Sequence, residues 1–189
     1  LAHALYALSL VFLGRHSEAS VEAGKAMTLE PLGQVSNLIF AVHLQFSGHV
    51  EAAVERYRKL IDLHPDCFNA HTTLALALLQ SSRFDECVES AHKAAELSGV
   101  SYPLTMAGLA YAASGRRKQA VEVLEHLDCE SRKSYVPPVF PAALALRLGR
   151  LVQAYGWFEK AFTERDSGLV TLRSLPWIGF AKLVPRAGT

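Results

Sequence analysis

The chain has 189 residues, half of them hydrophobic, with 19 Lys and Arg against 18 Asp and Glu and a net charge of +1. This length suffices for one ordinary domain with a sizeable core. A charge so evenly balanced is not typical of a nucleic-acid or anionic-membrane surface. We therefore expect a folded domain that does not bind nucleic acid and does not recognise its partner through net charge.

The three cysteines, Cys67, Cys87 and Cys129, do not have the number or spacing of a disulfide framework. This favours free thiols in a reducing compartment. No apolar run reaches the roughly 18 residues of a membrane-spanning helix, and the first residues lack the basic region of a signal peptide. We expect a cytoplasmic protein without a membrane span. Because Leu1 already lies within a helical pattern, the sequence is expected to be a fragment of a longer protein.

In chain order, the apolar pattern predicts five pairs of amphipathic helices, each pair joined by a short turn. The clearest pair lies in residues 101–127, where Leu104, Ala107 and Tyr111 are three or four residues apart and Leu124 and Leu127 continue the spacing. Small Gly108 and Ala120 should let these two helices approach closely. A single helical hairpin cannot bury both of its apolar stripes, so each pair requires neighbours.

Equivalent residues recur along the chain at intervals of 33 or 34 positions. The turn residue, where a helix must end and positive φ is useful, recurs as Gly14, Gly48, Ser82, Gly115 and Gly149. A small residue of the first helix recurs as Ala7, Ala41, Ala75, Gly108 and Ala142. A small residue of the second helix recurs as Ala19, Ala53, Cys87, Ala120 and Ala154. Such self-similarity predicts a repeat protein.

These columns resemble those of the tetratricopeptide repeat (TPR) family. The family's preferred Trp near the start of the first helix is replaced here by His3, Asn37, His71, Leu104 and Pro138. The resemblance implies an all-α, right-handed superhelical solenoid of five helix-turn-helix units, at about 1–33, 34–67, 68–100, 101–134 and 135–168. Residues 169–189, which include Pro176, Trp177 and Phe180, are expected to cap the array.

The order of features from the fourth unit onward is also similar to the C-terminal repeat arrays of bacterial multidomain signalling proteins. In that family the array follows a winged-helix DNA-binding domain, an adenylate cyclase or a Ser/Thr kinase, and the resemblance implies an interaction or sensory module. The residues that carry this resemblance are Gly115-Arg116-Arg117, Tyr135-Val136-Pro137-Pro138, Leu148-Gly149-Arg150, Trp157-Phe158-Glu159-Lys160-Ala161-Phe162 and Arg165-Asp166.

In such solenoids the first helices of successive units line the concave side, where a ligand usually binds. The family's groove-facing positions map onto a set that is mainly apolar and that we take as the candidate partner-binding site. Its members are Val35, Leu38, Val42, Gln45, Asn69, Thr72, Leu76, Leu79, Tyr102, Thr105, Leu109, Val136 and Val139. An alternative interpretation is that many of these residues only pack against the neighbouring unit.

Family members that grip a C-terminal carboxylate use Lys, Asn and Arg at these positions. Here only Asn69, with Gln45 or Arg147 nearby, could satisfy an anion, which argues against a carboxylate clamp. The set instead favours an apolar helix or extended segment of a partner protein, held by side-chain burial.

No catalytic, cofactor or metal site is predicted. The sequence has no phosphate-binding Gly loop, no paired metal histidines on a helix and no Gly-x-Ser-x-Gly elbow, which argues against an enzyme. His64, Cys67 and His71 contain metal-ligating atoms, but their spacing is not that of a closed zinc module, and we expect them to be structural.

Three functional hypotheses remain open at this point. The first is a non-enzymatic interaction module that binds a partner segment in its groove. The second is a sensor in which a small ligand between units controls an attached effector domain, with Asn69, Thr72, Thr105 and Tyr102 orienting the ligand. The third is self-association as a homodimer, since the mean hydropathy of +0.16 is positive for a soluble chain.

Overall fold

A computed structural model describes residues 1–169 of the chain, which form ten α-helices and no strand. The predicted all-α solenoid is confirmed. The helices are α1 (Ala2–Phe12), α2 (His16–Leu29), α3 (Gln34–Phe46), α4 (Val50–Leu63), α5 (Phe68–Gln80), α6 (Phe84–Ser98), α7 (Leu104–Ala113), α8 (Arg117–Glu130), α9 (Val139–Arg147) and α10 (Leu151–Thr163). Each of the five predicted units contains one pair of these helices.

The helices form because their apolar residues fall on one face. In α4, for example, the buried residues Ala53, Val54, Tyr57 and Leu60 follow helical spacing, whereas the positions between them are mostly charged. Every helix packs on the next one along the chain, and α1, α3, α5, α7 and α9 also contact one another in succession. The first helices of the five hairpins therefore form one layer of the solenoid, and this layer carries the candidate site.

The turn inside each hairpin has the same backbone geometry. Gly14, Gly48, Ser82, Gly115 and Gly149 all have positive φ, between 58° and 88°. The following N–H donates to a carbonyl five residues earlier, as in the bond of 2.9 Å from Arg15 N to Leu10 O. This is the Schellman termination, in which one left-handed residue lets the last turn of the helix close its own hydrogen bonds.

The small residues predicted to be scaffold are fully buried. Ala19, Ala53, Cys87 and Ala120 of the second helices are each 0% exposed, as are the equivalent alanines of the first helices. Burial raises the pKa of the Cys87 thiol to about 12, because a thiolate would be poorly solvated there. Side chains no larger than Ala or Cys at these crossings allow the helices to lie close together.

Gly108 has a different neighbour from the one expected. A Cβ atom added to it would lie 3.0 Å from Val123 Cγ1 of the same hairpin, but only 2.6 Å from Leu144 Cδ2 of α9. The nearest side chain to Gly108 therefore belongs to the fifth hairpin rather than to the fourth. Leu144 is itself 0% exposed, so it has little room to move away.

The end of the described chain packs back on α9. Asp166 Oδ2 accepts a hydrogen bond of 3.2 Å from Val139 N, and Leu169 packs against the main core. The rest of the predicted cap lies outside the described residues. Within residues 1–169 there is no helix both long enough and apolar enough to cross a membrane.

A candidate partner-binding groove

A cavity of about 280 Å³ lies among the first helices of all five hairpins. We call it the groove. No lining side chain carries an ionisable group. The lining residues are Leu8, Phe12, Leu38, Ile39, Val42, Phe46, Asn69, Thr72, Thr73, Leu76, Thr105, Met106, Leu109, Val139, Phe140 and Ala143.

The structure brings most of the sequence-predicted site residues together in this groove. Those that line it are Leu38, Val42, Asn69, Thr72, Leu76, Thr105, Leu109 and Val139. They come from α3, α5, α7 and α9, because equivalent positions of successive hairpins share one layer of the solenoid.

The other predicted site residues lie outside the groove lining. Gln45 is 3% exposed; its Oε1 accepts a hydrogen bond of 2.8 Å from Tyr57 Oη, and its Nε2 donates one of 3.0 Å to Gln80 Oε1. Its amide groups are thus already paired inside the array. Leu79 and Val136 are buried in the core, while Val35 is 39% exposed.

Tyr102 contacts the groove indirectly. Its ring stacks on the ring of Phe140, with 5.3 Å between the two centroids, and Phe140 lines the groove. Burial raises the pKa of the Tyr102 phenol, because a phenolate would be poorly solvated there. Tyr102 therefore supports one wall of the groove rather than forming its surface.

Sequence reasoning missed several lining residues. Ile39, Thr73, Met106 and Phe140 each lie directly after a predicted residue, and they form a column at the same interval as the others. Phe12 and Phe46 form another, with their rings edge to face at 6.0 Å. The repeat spacing identifies the members of each column as equivalent positions. The rotation of each helix about its axis, which the spacing does not give, decides which column faces the groove.

The polar groups of the groove are few, and two of them are already bonded. Thr72 Oγ1 donates to Phe68 O at 2.9 Å and Thr73 Oγ1 donates to Asn69 O at 2.8 Å. Thr105 is 0% exposed, and its Oγ1 has no hydrogen-bond partner within the described chain. Among the polar side chains of the groove, Thr105 is therefore the fully buried one that is left unpaired, whereas Asn69 is exposed.

His64, Cys67 and His71 take part in local structure, and His64 O accepts a hydrogen bond of 3.0 Å from Cys67 N. His71 Nε2 lies 3.1 Å from Pro65 O, a bond across the turn between α4 and α5. Cys67 is 5% exposed and packs beside Leu60 and Ala70. Among residues 1–169, no group of three His, Cys, Asp or Glu side chains is arranged to hold a metal ion.

Several solved structures have the same arrangement of helices. A thermophilic TPR protein of Thermus thermophilus is similar with a TM-score of 0.72 at 22% identity, covering 92% of this chain and 95% of that chain. MamA from Desulfovibrio magneticus is similar with a TM-score of 0.60 at 15% identity, covering 88% and 95%. A tetratricopeptide repeat protein from Parabacteroides merdae has a TM-score of 0.67 at 17% identity, covering 96% and 71%.

No protein-family model matches the chain, and no curated protein sequence matches it. The structural likeness and the repeating columns agree, however, on the architecture. The part of the chain that the structure describes has the fold of tetratricopeptide-repeat proteins, an α-helical solenoid of TPR units.

Proposed function

We propose that this chain is a non-catalytic interaction module that binds an apolar segment of a partner protein in the groove. The observation that carries the proposal is the mainly apolar, uncharged lining contributed by the first helices of all five hairpins. Burial of apolar surface there would supply roughly 25 cal/mol per Å² before the cost of ordering the segment. The fold agrees with this role, since solenoids use such extended surfaces for binding.

The chemistry of the lining defines the segment. Neither a carboxylate nor an ammonium group would find a counter-ion among the lining residues, so burying a charge there would be costly. The bound segment is therefore an uncharged stretch of apolar side chains, in helical or extended form. We further propose that the module is the regulatory part of a larger bacterial signalling protein in the cytoplasm, where the partner could be an attached effector domain.

A peptide-display library provides the test. Random peptides selected on the wild-type chain should be enriched in uncharged, apolar sequences. The double variant Leu38→Glu, Leu76→Glu should lose this enrichment, because both side chains line the groove and are only partly buried, so the chain can still fold. Leu109 is unsuitable for this purpose, since it is 4% exposed and a Glu there would disrupt the core.

Leu63→Glu is the matched control. Leu63 is 55% exposed and does not line the groove, so the same substitution adds the same charge elsewhere. Selection on this variant should resemble selection on the wild-type chain. Equal enrichment on the groove variant, with its helical content and Tm intact, would show that the groove is not the binding surface.

Self-association is a second candidate, because the first hairpin exposes positions that later hairpins bury. Leu5 is 50% exposed, whereas the equivalent Ile39 and Met106 are 3% and 6% exposed because a preceding hairpin covers them. A second copy of the chain could cover this apolar end. Sedimentation velocity would detect it, and Tyr6→Lys on the same end, where Tyr6 is 52% exposed, should then shift the chain to monomer.

A further inference from the structure

Thr105 lines the groove, and its hydroxyl is fully buried. Among residues 1–169, three buried side-chain polar atoms have no hydrogen-bond partner, and of these only Thr105 Oγ1 belongs to a residue that lines the groove. Buried hydroxyls in folded proteins are nearly always paired, because an unpaired one is destabilising. An unpaired hydroxyl beside a cavity is accounted for when a bound molecule, either a ligand or an ordered water, supplies the missing partner.

The surroundings of Thr105 limit the chemistry of that ligand. Its neighbours in the lining include Met106, Leu109, Val139 and Phe140, which present only apolar surface. Pockets of this kind bind the body of a ligand by burial and orient it through one or two polar groups. An ionised ligand would lose its hydration here without gaining a counter-ion.

The size of the groove limits the ligand further. An apolar protein cavity of about 150 Å³ accepts benzene. The 280 Å³ of the groove is nearly twice that volume, which corresponds to roughly ten to twelve non-hydrogen atoms. A flat bicyclic molecule is of this size, whereas a nucleotide or a sugar phosphate would be both too large and too highly charged.

We propose that the groove binds a small uncharged molecule, with an apolar body of about this size and one hydrogen-bonding group that pairs with Thr105 Oγ1. Because Thr105 is fully buried, the pairing would require its hydroxyl to turn toward the groove by a change between staggered χ1 positions. The inference goes beyond the binding of a partner segment and does not depend on it, since a small molecule can bind whether or not a protein segment does.

Two pairs of probe molecules test this on the purified 189-residue chain. Indole and indene have nearly the same shape, but only indole has an N–H group to donate to Thr105 Oγ1. We expect indole to bind about three- to tenfold more tightly in titrations followed by protein NMR or calorimetry, the range of one neutral hydrogen bond. Benzamide and benzoate fit within this size and differ mainly in charge, and we expect the charged member to bind at least about tenfold more weakly.

Variants of Thr105 assign the effect to its hydroxyl. Thr105→Val replaces the hydroxyl by a methyl group of similar size, so indole should lose its advantage while indene binds as before. Thr105→Ser keeps the hydroxyl and should preserve the preference. Leu76→Trp places a larger side chain in the groove lining and should abolish the binding of both probes. The Tm of each variant shows whether it is folded.

Three results would overturn the proposal. They are equal affinity of the wild-type chain for indole and indene, a preference that survives in Thr105→Val, and the absence of binding at millimolar probe. None of them bears on the selection of peptides by the groove. A chain that selects apolar peptides but binds no small probe would therefore retain the proposed interaction function and lose only this inference.

Discussion

A Cβ atom on Gly108 would lie 2.6 Å from Leu144 Cδ2, so α7 and α9 approach each other where one residue has no side chain and the other is fully buried. The other hairpins have Ala at the position of Gly108. The position equivalent to Leu144 in the third and fourth hairpins is the smaller Ala77 or Ala110. The Gly in the fourth hairpin thus accommodates the larger Leu in the fifth.

This relationship predicts that Gly108→Ala changes the free energy of unfolding in opposite directions in the wild-type chain and in a Leu144→Ala variant. In the wild-type chain, Gly108→Ala should destabilise by about 1 kcal/mol, because overpacking costs ~1–3 kcal/mol and the better helix propensity of Ala recovers ~1 kcal/mol. In the Leu144→Ala background the clash with Leu144 is absent, and the remaining neighbour, Val123 Cγ1 at 3.0 Å, has to shift only slightly, so the same substitution should stabilise by up to ~1 kcal/mol. Urea unfolding of the four chains measures both effects. The same cost in both backgrounds would show that Leu144 is not the obstacle.

Ser82 adopts the left-handed conformation that glycine adopts in the other four turns, with φ of 58°. A residue with a Cβ is strained there by ~1–2 kcal/mol, whereas a glycine loses more conformational entropy on folding. We expect Ser82→Gly to stabilise by up to about 1 kcal/mol and the reciprocal Gly115→Ser to destabilise by a similar amount. Chemical denaturation is the measurement, and effects of the same sign in the two variants would contradict this account.

Tyr57 and Gln45 form a buried hydrogen bond of 2.8 Å, in which the Tyr57 hydroxyl donates and the Gln45 side-chain carbonyl accepts. Tyr57→Phe leaves that carbonyl unpaired in the core and should cost about 1–3 kcal/mol in the free energy of unfolding. Tyr155→Phe is the control, since Tyr155 is 73% exposed and the same change should stay within about 0.5 kcal/mol. Equal Tm values for the two variants would indicate that the bond contributes nothing.

Cys87 makes stability sensitive to alkaline pH. The folded state holds the pKa of its thiol at about 12, above the ordinary value of 9.0, so the unfolded chain releases this proton first as pH rises. The stabilisation is complete below pH 9 and is lost as pH rises from 9 towards 12, by at most ~1.4 kcal/mol per pH unit.

Cys87→Ala isolates this effect, because Ala occupies the equivalent position in the other hairpins and does not titrate. Between pH 8 and pH 10.5 the wild-type chain should lose about 1–2 kcal/mol more stability than the variant. Tyr57, whose pKa burial also raises, contributes equally to both chains and cancels in the difference. If stability falls in parallel for the two chains over this pH range, Cys87 is not the cause of the pH dependence.

Part of the candidate site could be predicted from the sequence. The mapping of groove positions found Leu38, Thr72, Thr105 and Val139, because equivalent residues of successive hairpins come to lie in one layer of the solenoid. It also included Gln45, whose amide groups pair with Tyr57 and Gln80. No local pattern shows whether a polar side chain at such a position will be bonded within the array or left in the groove.

The sequence by itself determined the helical hairpins, their number and their turns. These depend on local properties that repeat at 33 or 34 residues: apolar spacing, small residues at the helix crossings, and residues that tolerate positive φ. Only the tertiary structure decided that Ile39 and its equivalents Thr73, Met106 and Phe140 line the groove, that Leu144 fills the space beside Gly108, and that the Thr105 hydroxyl has no partner among residues 1–169. The reason is that these relationships depend on the rotation and distance of helices from different hairpins.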